Sequence, residues 1–359
     1  MAYDYKTIVP YLLDWYDYNA RILPWRENPK PYHVWISEIM LQQTRVEAVR
    51  GYFDRFINEI PSIDALAKVE DEKLLKLWEG LGYYNRARNL KKAAWQIVRD
   101  YGGELPADYN ELLKLPGIGS YTAGAIASIA FQIPVAAVDG NVLRITKRIA
   151  GSFDDITKEK VKRELSEDLN RIIPKDRPGD FNQSLMDLGA TVCLPNGKPL
   201  CQQCPLMHLC EAYHKDYIAQ IPVKPPKKKR KIEQRTILLM EYQDKYLLHQ
   251  RAAKGLLAGL WELPGIEEKL SSRKLRSILN DKGLEIASLK TLGEAKHIFS
   301  HIEWHMTGYY INLSHLTPEY IKENSFILAD EEEIKHTYTL PSAFSPFLDQ
   351  TIDKRLGNN

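Results

Sequence analysis

Three groups of residues in this 359-residue chain combine types and spacings that can do chemistry. The first is Leu115-Pro116-Gly117-Ile118-Gly119, with Tyr121 next and then the small-residue run Thr122-Ala123-Gly124-Ala125-Ile126-Ala127. Two glycines one residue apart permit a tight turn with exposed amides, and amides at a helix start favour an anion. Taken alone, the turn is equally an ordinary connector between helices. Further on, Val138-Asp139-Gly140-Asn141-Val142 sets a carboxylate just ahead of a helical stretch. Asp139 reads either as an N-cap or as a reactive carboxylate beside that turn. The second group centres on Glu38, within Trp35-Ile36-Ser37-Glu38-Ile39-Met40-Leu41-Gln42-Gln43-Thr44-Arg45-Val46. A glutamate on an apolar helix face is costly unless it has a role, the plain alternative being a solvent-side position or a helix ion pair. The third is Cys193, Cys201, Cys204 and Cys210, the chain's only cysteines, in the pattern C-x7-C-x2-C-x5-C. Such clustering reads as one metal site rather than a disulfide framework, and the spacing alone fits zinc or an iron–sulfur cluster.

The elements that must position these groups fall into two textures. Residues 1 to about 220 read as helical: one amphipathic stretch carries Ile8, Leu12, Trp15 and Tyr16, another runs from Ile36 through Met40, Val46 and Phe53 to Phe56. Further helical periods lie near 72–79, 86–100, 120–131, 140–150, 158–173 and 180–190. Pro222, Pro225 and Pro226 then mark an extended connector with Lys224, Lys227, Lys228, Lys229, Arg230, Lys231 and Arg235 against one acid, Glu233. That stretch holds +6 of a chain whose formal net charge is +2, so the rest nets −4, and nucleic-acid contact elsewhere must come from local patches and amides. The run Lys227–Lys231 is read as a solvated linker rather than a localisation signal. Beyond it, Thr236–Tyr242 and Tyr246–His249 read as a hairpin, His305–Leu313 as a strand, and 272–280 and 342–354 as helices. No apolar run is long enough to span a bilayer. Met1–Pro10 lacks the charged-then-apolar order of a secretory leader, so a cytoplasmic, intracellular protein is expected, nucleoid-associated if bacterial.

Together, LPGIGSYTAGAIA and VDGN resemble the helix-hairpin-helix DNA glycosylase superfamily. The Glu38–Thr44 segment, Leu23-Pro24-Trp25-Arg26, the stretch Glu79–Leu90 and Phe181-Asn182-Gln183 resemble the MutY-type adenine DNA glycosylases, over nearly the whole chain. The fold this implies is multidomain: a mainly α helix-hairpin-helix core with an iron–sulfur subdomain, then an α/β Nudix-like domain. The implied boundaries are 1–221 for the catalytic region, with a six-helix barrel at about 25–134 and the iron–sulfur subdomain from 1–24 and 135–221. A basic linker covers 222–234 and the Nudix-like domain 235–359. The resemblance implies a 4Fe–4S cluster on the four cysteines, although the usual first gap is one residue shorter.

The same resemblance implies hydrolytic removal of adenine mispaired with 8-oxoguanine or G in double-stranded DNA, by a monomer with no membrane association. Glu38 would be the general acid and Asp139 the carboxylate facing the sugar cation, with Tyr121 and Asn141 positioning it. Trp25, Arg26, Leu41 and Gln183 match the adenine pocket; Leu115, Gly117 and Gly119 the phosphate-binding hairpin. Gln43, Thr44, Leu81 and Tyr83 match positions that meet the opposite base, with adjacent Tyr84 competing for the role of Tyr83. Endonuclease III-like relatives carry a lysine nucleophile where this chain has Tyr121, so lyase chemistry is not expected. In the C-terminal half, Gly255–Gly265 resembles a Nudix segment, but the acidic metal-binding set that should follow is missing. Pyrophosphohydrolase activity is therefore not expected, and Phe299, Ser300 and His301 are read as the 8-oxoguanine reader. The remaining alternative, a non-catalytic DNA scaffold, is opposed by the joint presence of Glu38 and Asp139.

Overall fold

A computed structural model describes residues 3–226 and 229–349. It divides into two compact units: the chain up to Val69 with Asn85–Pro226, and Glu70–Tyr84 with the chain beyond Pro226. The division is not sequential, because a short segment from the helical half belongs to the second unit. Among the described residues, no helix is long and apolar enough to cross a membrane.

The first unit is helical. The expected amphipathic stretch from Ile36 to Phe56 is two helices, Pro31–Leu41 and Val46–Glu59. The break at Gln42–Arg45 includes Gln43 at φ 58, a left-handed conformation no helix can contain. Buried Arg86 holds the broken end: one nitrogen, Nη1, donates to the carbonyls of Ile39, Met40 and Gln42 at 2.9, 2.9 and 2.6 Å. A guanidinium thereby satisfies carbonyls that lose their helical partners. The hairpin joins helix Tyr109–Leu113 to helix Ser120–Phe131, as its glycines suggest. Gly117 takes φ +80, and a Cβ there would lie 2.8 Å from Asn89 Cβ, so glycine is required on two counts. Helices Gly140–Ile149, Glu159–Ile172 and Pro178–Thr191 complete the frame, packing Val142, Ile145, Leu165, Phe181 and Leu185 with Ile8 and Leu12.

The second unit is built on one sheet with strands β1 (Lys231–Tyr242), β2 (Lys245–Gln250), β3 (Trp261–Glu262), β4 (Gly265–Ile266), β5 (Glu285–Ile298), β6 (Ile302–His315) and β7 (Phe326–Ala329). Its order is β3-β2-β1-β6-β5, with β4 on β1 and β7 on β2. Central β1 runs parallel to β6. Its alternation serves two cores: Ile237 and Leu239 pack with Trp304, Phe344 and Phe347, whereas Leu238 and Met240 pack with Leu275, Leu279 and Ile311. Helix Ser272–Asp281 covers the latter face, close to its expected limits. Three expectations change. Strand β1 starts at Lys231, inside the stretch read as linker. Strand β5 was not foreseen at all. Of the expected helix 342–354, residues 345–349 are helical; 350–354 lie outside the described residues, as do Lys227 and Lys228 of the basic run.

Candidate active site

The two carboxylates singled out in the sequence line one cleft of the first unit, of about 740 Å³. Its walls include Trp25, Arg26, Leu41, Tyr121, Asn141 and Gln183, so the expected adenine-pocket and catalytic residues are brought together. Thr44 also lines this cleft, although the sequence grouped it with the opposite-base positions.

Helix Pro31–Leu41 places Glu38 inward, where it is 5% exposed. The Tyr121 hydroxyl donates to Glu38 Oε2 at 2.8 Å. Burial pushes the Glu38 carboxyl up to about 7, against the pull of the Tyr121 hydrogen bond and the Arg26 charge; Asp139 adds to the rise. Tyr121 itself is raised well above its ordinary value by burial and by both carboxylates, so it stays a neutral donor.

Asp139 is an N-cap, and the cap is part of its geometry. Its Oδ1 accepts from the backbone amides of Asn141 and Val142, each at 2.8 Å, and its Oδ2 from Asn141 Nδ2 at 2.7 Å. Burial raises its pKa, while these hydrogen bonds and the Arg144 charge favour the carboxylate. Asn141 is held in turn, because its Oδ1 accepts from Arg144 Nη2 at 2.9 Å. A Cβ at Gly189 would lie 2.6 Å from Asn141 Cβ, so only glycine lets the two helices close around this group.

The four cysteines also converge, on a cavity of about 400 Å³ lined with Ile145, Arg148, Leu188 and Leu206. Arg148 Nη1 donates to Cys193 Sγ at 3.3 Å. Among the described residues no three His, Cys, Asp or Glu side chains meet at a single ion position.

Comparison with known proteins agrees with this geometry. Residues 36–171 match the model of the HhH-GPD superfamily base excision DNA repair protein, which spans Glu38, the hairpin and Asp139. Residues 235–350 match the NUDIX domain. The adenine DNA glycosylase of Mus musculus is 36% identical over 350 residues, covering 81% of this chain and 68% of that protein. That of Buchnera aphidicola subsp. Schizaphis graminum is 35% identical over 308 residues, covering 84% and 87%. The chain belongs to the adenine DNA glycosylase family. A solved structure of a trapped endonuclease III–DNA covalent intermediate is 30% identical with a TM-score of 0.51, covering 60% of this chain and all of that one. The helical core and the α/β domain expected from the sequence are thus present in order.

In the second unit the residues matched to opposite-base recognition separate by exposure. Tyr83 is 49% exposed at φ 48, whereas Tyr84 is buried, which distinguishes the two neighbours. Leu81 is buried. Phe299, Ser300 and His301 form the turn between β5 and β6, closed by Phe299 N donating to Ile302 O at 2.8 Å. The Phe299 ring packs 4.8 Å from Trp304, Ser300 is exposed, and its hydroxyl lies 3.2 Å from the Tyr83 hydroxyl. Sequence reasoning missed several residues that build the first site. Asn182 is one: its amide accepts from Ala137 N and donates to Val135 O, fixing the strand-like approach to Asp139. Arg21, Arg144 and Asp187 are others. A polar side chain inside an apolar helix face, as at Asp187, was the available signal.

Proposed function

We propose that this protein is a monofunctional DNA repair glycosylase that flips adenine out of A:8-oxoguanine or A:G mispairs and hydrolyses its glycosidic bond. The observation that carries the reading is the pairing of Glu38, a buried acid with a pKa raised to about 7, with the capped carboxylate Asp139 in one cleft. Burial raises both carboxyl groups, but Asp139 alone is held by two backbone amides and Asn141, donors that favour its carboxylate, and this divides the roles of acid and anion. With Oε2 accepting from Tyr121, Oε1 is the oxygen left to carry and deliver the acid proton. That proton passes to N7 of the flipped adenine. The C1′–N9 bond then breaks, its electrons leave with the neutral base, and the sugar becomes an oxocarbenium ion. Asp139 stabilises that cation, held by the two amides and Asn141. Water adds to C1′ and gives up its proton, leaving an abasic site.

Trp25, Arg26, Leu41 and Gln183 would contact the base. The amides after Gly117 and Gly119 would bind a phosphate of the duplex, a contact that positions without reading sequence. Tyr121 offers no amine for a Schiff base, which is the reason for proposing hydrolysis without strand cleavage. For the opposite base, the exposed pair Tyr83 and Ser300 supports a reader of 8-oxoguanine, with Phe299 and His301 supporting Ser300. Gln43 and Thr44 of the first unit, and Leu81 of the second, would also contact the opposite base.

Cys193, Cys201, Cys204 and Cys210 would hold a 4Fe–4S cluster. Among the described residues the cavity's lining offers four thiols and no histidine or carboxylate, a donor set that fits a 4Fe–4S cluster. Such a cluster would cross-link the 193–210 loop upon itself.

Single-turnover base release on duplexes with A opposite 8-oxoguanine, G or T tests the reading. Fastest release against 8-oxoguanine is expected, and no adenine release from any duplex would overturn it.

A further inference from the structure

We infer that Asp187 is a positioning residue for base release, holding Arg21 and Arg26 on the cleft wall and cancelling part of their charge. The inference rests on the proposed function and deepens it. Asp187 is fully buried on helix Pro178–Thr191, behind the cleft rather than in it. Both arginines line the cleft with Glu38 and Asp139. Asp187 Oδ1 accepts from Arg21 Nε at 2.8 Å and Arg26 Nη2 at 2.9 Å. Its Oδ2 accepts from Arg26 Nη1 at 2.7 Å and from the Arg21 backbone amide at 3.0 Å. One carboxylate therefore ties the turn at Arg21, the short helix Pro24–Glu27 and the long helix Pro178–Thr191 to a single point.

The charge matters as much as the geometry. Base release protonates the adenine and leaves a cationic sugar, so positive charge grows inside a cleft that already carries two guanidinium groups. An unopposed buried cation there would repel both and would also favour the ionised form of Glu38. The groups facing Glu38 are Tyr121, Arg26 and Asp139. Those facing Asp187 are Arg21, Arg26 and the Tyr16 phenol, whose pKa burial pushes up to about 12 and which therefore stays neutral. Asp187 is thus the anion that balances the arginine facing Glu38. Burial opposes its charge, but the two arginines outweigh burial and hold it ionised.

The test is the pH profile of single-turnover adenine release by the full-length protein with its cluster in place. Wild type should lose activity as pH rises through the Glu38 titration. Asp187→Asn should be about ten-fold slower at pH 7, with its alkaline limb moved down by roughly one pH unit. Asp187→Glu keeps the charge, and its limb should stay at the wild-type position even if its rate falls. Should Asp187→Asn fail to fold, Arg21→Met supplies the converse: with one cation gone, the limb should move to higher pH. An alkaline limb at the wild-type position in Asp187→Asn, or one that does not rise in Arg21→Met, would reduce Asp187 to a structural staple and overturn the inference. Wild type that releases no adenine would instead sink the proposed function itself, so the two failures are distinguishable.

Discussion

Replacing Glu38 with glutamine should abolish base release and stabilise the protein in the same stroke. The Glu38 carboxyl is pushed from 4.5 to about 7, chiefly by burial. An acid whose pKa rises on folding binds more protons folded than unfolded. Its contribution is harmless below the unfolded value, grows more unfavourable as pH climbs between the two values, and is fully unfavourable above the folded one. A shift of this size corresponds to about 3 kcal/mol. Glutamine keeps the shape, still accepts from Tyr121, and has no charge to desolvate. Glu38→Gln should therefore lie within about 1 kcal/mol of wild type at pH 5 and exceed it by about 3 kcal/mol at pH 8. Losing the acid should cost about 10²–10⁴-fold in single-turnover release. Urea denaturation of both proteins side by side from pH 5 to pH 8 reads the stability difference; shared features of the two units cancel. A difference that does not grow with pH, or a variant less stable than wild type at pH 8, would refute the reasoning that Glu38 is held as a buried acid.

Asp139→Asn should fold normally, since Asn caps a helix as well as Asp does, yet lose at least about 100-fold in base release; Asp139→Ala should in addition cost about 1 kcal/mol of stability. Thermal melts and release rates on the same preparations separate the two effects. Tyr121→Phe removes a hydrogen bond that favours the Glu38 carboxylate, so the alkaline limb of the release profile should move to higher pH. Ser300→Ala with His301→Ala should erode the preference for 8-oxoguanine over G more than release opposite G, read from competing duplexes. Cys204→Ala should lower both the iron content and the melting temperature, with iron measured by atomic absorption.

Much of the first site was legible because its devices are local. Gly117, Asp139 and the flanking helical periods each signal through a neighbour a few residues away. The break at Gln42–Arg45 was not legible: apolar spacing continues across it, and the cation that satisfies its carbonyls, Arg86, lies far along the chain. Strand β5 hid for a different reason. It is an edge strand with register shifts at Glu285/Ile286, Ile286/Ser288 and Thr291/Gly293, so no period-two pattern survives in its sequence. The Asp187 network joins residues from opposite ends of the first unit, and only the fold brings them together. The grouping of Glu70–Tyr84 with the C-terminal unit is likewise invisible in a linear reading.

The most direct test of the central claim is single-turnover adenine release from an A:8-oxoguanine duplex by wild type, Glu38→Gln and Asp139→Asn at pH 7. The account predicts fast release by wild type and loss in both variants while each remains folded and bound to DNA. Wild-type rates in either folded variant would contradict it.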